Sequence, residues 1–292
     1  MQHSTLSDER RSFGPSVRRL VVLGTGLLVG VALVAPNAGA AKDSGAPKSS
    51  TIYSSIPNPL KGNQPSVGFE ATQTAELGDD VVFRAGGRRL TSVTVGLSSW
   101  GCGSGSWYGK DCVTTPGATF AVPITLTLYR VGSGATPGTV IASTTQTFAI
   151  PYRPSASARC TGDQAGKWWD SSLKACFNGY ATTVTFPFDN LVVPDTLVWG
   201  VSYNTSTAGP HPIGDADCRA SSGGCGYDSL NVLTVAAPFY GESDVTPFVD
   251  SRSADSYCDG GPTDVFRHVD DTAAARDCWA GYVPSVAFKA AS

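Results

Sequence analysis

A chain of 292 residues with 33 glycines, 19 prolines and a single methionine, and with 21 basic against 24 acidic side chains for a net charge of −3, carries no electrostatic footprint for nucleic acid. Few charges beside abundant Gly, Thr, Ser and Val favour strands over helices. The length after any leader fits one large all-β domain or two small ones.

Residues 1–40 read as an export signal. Arg10, Arg11, Arg18 and Arg19 form a basic start, Leu20 to Val34 is apolar, and Ala38-Gly39-Ala40 supplies the small residues of a cleavage site. The apolar run of 15 residues is short for a membrane span, which needs about 20. Arg10-Arg11-Ser12-Phe13 has the form of a twin-arginine signal without the rest of that consensus. Cleavage leaves 21 − 4 = 17 basic and 24 − 2 = 22 acidic residues, a net of −5. The expected product is secreted or held at the cell surface, with no membrane span in the mature chain and no nucleic-acid partner.

Residues 41–65 are rich in Pro, Ser, Lys and Gly and read as a flexible leader, with a single domain over 66–292. VGFEAT and DDVVF give the first strand signals, and Leu90 to Ser98 places Val93, Val95 and Leu97 on one face. The longest alternating run follows: Phe120, Val122, Ile124, Leu126 and Leu128 point one way, and Val140 to Ile150 returns after a Gly- and Pro-rich turn. That predicts a hairpin over 119–150, with Pro123 at an edge or a bulge. Val184, Phe186 and Phe188 alternate, as do Leu197, Trp199, Val201 and Tyr203, with 189–195 as their connection. A short strand is expected at 229–235 and a closing one at 286–289, after a long Asp- and Gly-rich excursion over 236–282.

The eight cysteines fall into four successive couples, Cys102 with Cys112, Cys160 with Cys176, Cys218 with Cys225 and Cys258 with Cys278. An even count after a signal reads as disulfides, and sequential pairing is the simplest map. Zinc is the competing reading, and no Cys-x-x-Cys or His-x-x-x-His spacing supports it.

The phrases RRLTSVTVGL, ITLTLYRV, TVIASTTQTF, LVVPDTLVWGVSYN, CGYDSLNV and YCDGG together resemble a group of exported bacterial β-sandwich (jelly-roll-like) proteins with cysteine-bracketed loops. The resemblance spans roughly residues 52–290. It implies an all-β, disulfide-stapled antiparallel β-sandwich and, by analogy, a surface or sugar-binding setting; it specifies no site residue.

Five of six tryptophans, Trp100, Trp107, Trp168, Trp169 and Trp279, lie in or beside a cysteine bracket. One reading is an aromatic platform for sugar rings built from Trp107, Tyr108, Trp168 and Trp169, with Asp163, Gln164 and Asp170 as polar neighbours. The other is that indoles pack over disulfides as a satellite core under the loops, and Trp100 and Trp279 fit that reading better. The acidic residues Asp244, Asp250, Asp255, Asp259, Asp264, Asp270 and Asp271, or Asp215 with Asp217, offer oxygens for a structural calcium, but their spacing matches no known motif and a solvated acidic loop is the simpler account.

The catalytic inventory is thin. His211 and His268 are the histidines beyond the signal, no nucleophile motif is present, and nothing in the sequence pairs Glu70, Glu76 or Glu242 with a second carboxyl. Three functions stay open: a non-catalytic module binding cell-envelope or environmental polysaccharide through aromatic loops, a structural or interaction protein of the envelope, and a secreted hydrolase. No cofactor is expected beyond that calcium.

Overall fold

The computed structural model describes residues 48–69, 74–204, 230–244, 246–251, 265–269 and 282–291. Fifteen strands lie among them. They begin with β1 (Ser49–Ser54), β2 (Ser66–Gly68), β3 (Thr74–Val82), β4 (Arg89–Ser99), β5 (Thr119–Tyr129) and β6 (Val140–Pro151). Next come β7 (Trp168–Asp170), β8 (Ala175–Phe177), β9 (Tyr180–Val192), β10 (Thr196–Ser202) and β11 (Leu230–Val235). The chain closes with β12 (Phe248–Ser251), β13 (Arg267–His268), β14 (Val283–Pro284) and β15 (Val286–Ala291).

Pairing is antiparallel throughout. One sheet contains the run β1, β15, β4, β9, and the other the run β3, β10, β5, β6. Among β1, β3, β4, β5, β6, β9, β10 and β15 the chain therefore crosses between sheets at β1 to β3, β3 to β4, β4 to β5, β6 to β9, β9 to β10 and β10 to β15, the eight-stranded double Greek key of a jelly roll. Short β11 continues the first sheet where β15 leaves β4, with β2 and β14 beside it, and β12 and β13 extend the second sheet beyond β3.

The alternation in sequence becomes the interior. Val93, Val95, Leu97, Val184, Phe186, Val286 and Phe288 from one sheet meet Leu77, Phe120, Val122, Ile124, Leu126, Leu128, Leu197 and Trp199 from the other in one buried cluster. The predicted hairpin is β5 and β6. Pro123 sits where β5 has no β10 neighbour, since that ladder begins at Thr125. Pro187 lies on β9 opposite a register shift in β4 between Leu90 and Ser92, so its missing N–H disturbs no regular ladder.

Two sequence expectations are corrected. The sandwich starts before residue 66: Ser49 to Ser54 pairs with β15, and Ile52 and Tyr53 are fully buried. Only those two residues in SSTIYS are large and apolar, too few for the pattern to show. The link between β9 and β10 also shrinks from 189–195 to 193–195, because β9 continues to Val192.

Strand order divides the loops between two poles. The turns from β3 to β4, β5 to β6 and β9 to β10 are short and lie at the Arg89 end of β4. Ser49 and Ala291 lie there too, since Ser49 faces Ala291 and Ala291 faces Arg89. The opposite pole receives the long connections from β4 to β5 and from β6 to β9, and these carry the first two cysteine brackets.

A carboxyl is buried against the core. Asp79, opposite Trp199 on β10, is 1 % exposed, and burial pushes its carboxyl well above the ordinary range. Its Oδ1 accepts from the Asp80 N–H at 2.9 Å, while Oδ2, the Tyr53 hydroxyl, Ser243 Oγ and Trp199 Nε1 are buried without protein partners among the described residues. A neutral carboxyl costs far less there than a charged one.

Candidate functional site

The two bracketed connections meet. Cys102–Cys112 and Cys160–Cys176 are disulfides, as sequential pairing predicts; the other four cysteines lie outside the described residues. Between the brackets runs the segment after β6, Tyr152 to Arg159, which is stitched to both. Arg153 N–H donates to the Gly101 carbonyl at 2.8 Å and Ala156 N–H to the Cys112 carbonyl at 2.9 Å. On the other side Ser157 N–H donates to the Lys167 carbonyl at 2.9 Å, and the Arg153 guanidinium, wholly buried, donates to the Gly166 carbonyl at 2.7 Å. Gly166, with φ at 87°, lies directly against Lys110, and a side chain at 166 would collide with it.

The second bracket is more than a loop. After a short 3-10 turn at Gly162–Gln164, β7 and β8 form a hairpin with Trp169 opposite Cys176. Alternation along β7 sends the two indoles in opposite directions. Trp168 is 5 % exposed, donates from Nε1 to the Gly179 carbonyl at 2.8 Å, and packs on Phe177 and Tyr180 with ring centres 5.5 Å away in each case. Trp169 is half-buried, with the Arg159 guanidinium carbon 5.9 Å from its ring centre.

These parts enclose an open groove of about 740 Å³. Trp168, Trp169, Tyr152 and Tyr180 supply aromatic wall, Pro116, Pro151 and Pro154 stiff apolar wall, and Thr114, Ser155, Ser157 and Arg159 polar groups. Ser155 is fixed by a reciprocal pair with Thr114, accepting its N–H at 2.9 Å and donating to its carbonyl at 3.2 Å. A concave, largely apolar wall with a few placed polar groups is the usual form of a ligand site.

Of the residues singled out in the sequence, the groove gathers Trp168 and Trp169. Trp107 and Tyr108 lie outside its lining, in an edge-to-face series: Trp100 to Trp107 at 4.8 Å and Trp107 to Tyr108 at 5.9 Å, with Tyr108 45 % exposed. Asp163 is exposed on the 3-10 turn. Asp170 Oδ1 accepts from the Ser172 hydroxyl at 2.7 Å and from the N–H groups of Ser172 and Leu173 at 2.8 and 3.1 Å. These bonds, the Ser172 hydroxyl above all, hold its carboxyl below the usual range and make it a turn former. Gln164 accepts from Lys167 Nζ at 2.8 Å. Tyr152, Arg159 and Tyr180 were not signalled by periodicity. The clue to Tyr152 and Arg159 is PYRPSASAR, a run with two prolines directly after a strong strand; Tyr180 has no such signal.

A second polar cluster lies on the outer face of the other sheet, away from the groove. The ladder sets Asp250 on β12 opposite Glu76 on β3, a carboxyl pair that spacing in the sequence did not reveal. Glu76 crosses Gly200, where any side chain would strike its carboxyl, and accepts from the Tyr129 hydroxyl at 2.9 Å. Burial first, then the charge of Asp250, outweigh that hydrogen bond and push the Glu76 carboxyl up to about 7. Nearby His268 on β13 bonds Thr246 Oγ1 at 2.9 Å and lies 3.7 Å from Asp244.

A carboxyl that binds its proton more tightly folded than unfolded contributes stability below the ordinary carboxylate pKa, and this is lost as pH rises toward 7. Glu76→Gln should therefore match wild type near pH 4.5 and exceed it at pH 8 by roughly 2 kcal/mol, allowing for partial solvent exposure. Urea denaturation across that pH range checks this; equal pH slopes for the two proteins would refute it.

Among the described residues no three His, Cys, Asp or Glu side chains gather as a metal site requires. Asp215, Asp217, Asp255, Asp259, Asp264, Asp270 and Asp271, together with Glu70, His211 and Trp279, lie outside them. No helix among the described residues is long and apolar enough to cross a membrane. No protein-family model, curated protein or solved structure matches the chain.

Proposed function

We propose that the protein is an exported, non-catalytic module that holds a segment of cell-envelope or environmental polysaccharide in the groove between its two disulfide-closed loops. The observation carrying this reading is the composition of that groove: one half-buried indole, two tyrosines and a set of serine, threonine and backbone groups on a cross-linked frame. Sugar rings offer C–H faces that rest on aromatic rings and hydroxyls that bond polar neighbours. An open groove accepts a chain passing through rather than a small molecule enclosed on all sides. Disulfides are stable in the oxidising surroundings that export implies.

Trp169→Ala should lower glycan affinity about tenfold or more, the loss of a stacking surface worth roughly 1.5 kcal/mol. A glycan array followed by calorimetry measures it, with circular dichroism to check the fold. Trp168→Ala should instead lower the melting temperature, since that indole is packed and hydrogen-bonded. A wild-type protein that retains no glycan from a broad panel would leave the envelope structural role as the better reading.

A further inference from the structure

Resting on the polysaccharide reading, the charge distribution at the groove specifies its ligand further. Among the residues lining the groove there is one charged side chain, Arg159, and no Asp, Glu, Lys or His. Arg159 is exposed at the groove rim and in no ion pair among the described residues; its own N–H donates to Ser157 Oγ at 3.3 Å. The acids carried by the two bracketed connections lie outside the lining. Asp170 is held in its turn, Asp111 accepts from the Ser106 N–H at 2.9 Å, and Asp163 stands out on the 3-10 turn.

The surroundings carry the same sign. The stretches 100–118 and 152–180 contain Lys110, Arg153, Arg159, Lys167 and Lys174 against Asp111, Asp163 and Asp170, 5 − 3 = +2, in a chain whose total is −3. These two connections are thus basic on an acidic protein. A guanidinium beside an indole is suited to an oxyanion, because its N–H fork bonds two oxygens of one carboxylate or tetrahedral anion while the flat cation stays against the ring. The guanidinium carbon lies over the indole ring, 5.9 Å from its centre, so an anion bound to its N–H fork is held beside Trp169.

We infer that the groove selects an anionic polysaccharide, one bearing ring carboxylates or sulfates, with Arg159 receiving the anion of the sugar that lies beside Trp169. The test uses the full exported chain and matched ligand pairs that differ only in charge. These are oligogalacturonate with its methyl ester, and a sulfated glycosaminoglycan oligomer with its desulfated form.

The acidic member of at least one pair should bind wild type about tenfold tighter than its masked partner, and that ratio should shrink in high salt. Arg159→Gln should bring the two members to within about twofold of each other, and Arg159→Lys should restore part of the difference. Which pair shows the effect separates carboxylate from sulfate. Equal binding of acidic and masked members by wild type would overturn the inference while leaving the polysaccharide reading in place, as would an Arg159→Gln protein that keeps the full ratio. Absence of binding to every member would overturn the inference, and the polysaccharide reading falls with it when the broad glycan panel is also silent. A ratio within one protein also guards against a variant that merely folds less well, since misfolding lowers both affinities together.

Discussion

Gly78→Ala is expected to destabilise the sandwich by about 4 kcal/mol or more, enough to leave much of the protein unfolded if its total stability lies in the ordinary range. Gly78 on β3 faces Gly200 on β10, and a Cβ at 78 would fall on the Trp199 carbonyl. That obstacle is backbone, so no rotamer change relieves it. Nor can β10 retreat: β5 pairs along its other edge and Trp199 is locked in the core. The two strands would have to part, losing ladder hydrogen bonds in the middle of the sheet. Gly134→Ala is the control, because open space surrounds the position and the change should stay within about 0.5 kcal/mol. Urea titration of the two variants measures the contrast; a Gly78→Ala protein within 1 kcal/mol of wild type would contradict the packing described.

Replacing Cys160 and Cys176 together by serine should cost about 3 kcal/mol, and replacing Cys102 and Cys112 slightly less, in keeping with loops closed over 16 and 10 residues. The two effects should not add. The loops touch at Lys110 and Gly166 and share the buried strut of Arg153, so loosening one removes part of what the other restrains. A double-mutant cycle read by denaturation should show a coupling of at least about 0.5 kcal/mol. Under the proposed polysaccharide role, glycan binding falls for either pair while the far-ultraviolet signature of the sandwich persists, because both loops leave the sheets at one pole. Strict additivity with unchanged binding would mean that the loops act independently and that the groove does not depend on them.

The fold was readable because its signal is local. Val93, Val95 and Leu97, or Phe120 through Leu128, declare their strands by alternation, and the hairpin between β5 and β6 declares itself by its turn. What local pattern cannot state is which strands become neighbours. The jelly-roll order pairs β1 with β15 and β3 with β10, partners far apart in the chain, and only that order brings the first two cysteine brackets to one end.

The site was legible in the same partial way. Adjacent Trp168 and Trp169 stood out, but the small hairpin at β7 and β8 that turns one inward and leaves the other half-exposed was hidden in a segment with no clear alternation. Tyr152 and Arg159 come from one stretch and Tyr180 from another, and they carry no motif. Glu76 and Asp250 meet only through the register of β3 with β12.

Because Ser49 and Ala291 lie beside Arg89 while the groove lies beyond Ser99, an 11-residue strand separates them, roughly 35 Å along the sheet. Anything joined to the domain at either of these ends is attached to its back. Coupled to a bead, a surface or a neighbouring module through that edge, the molecule presents its groove outward, and affinity measured on the immobilised protein should equal affinity measured in free solution.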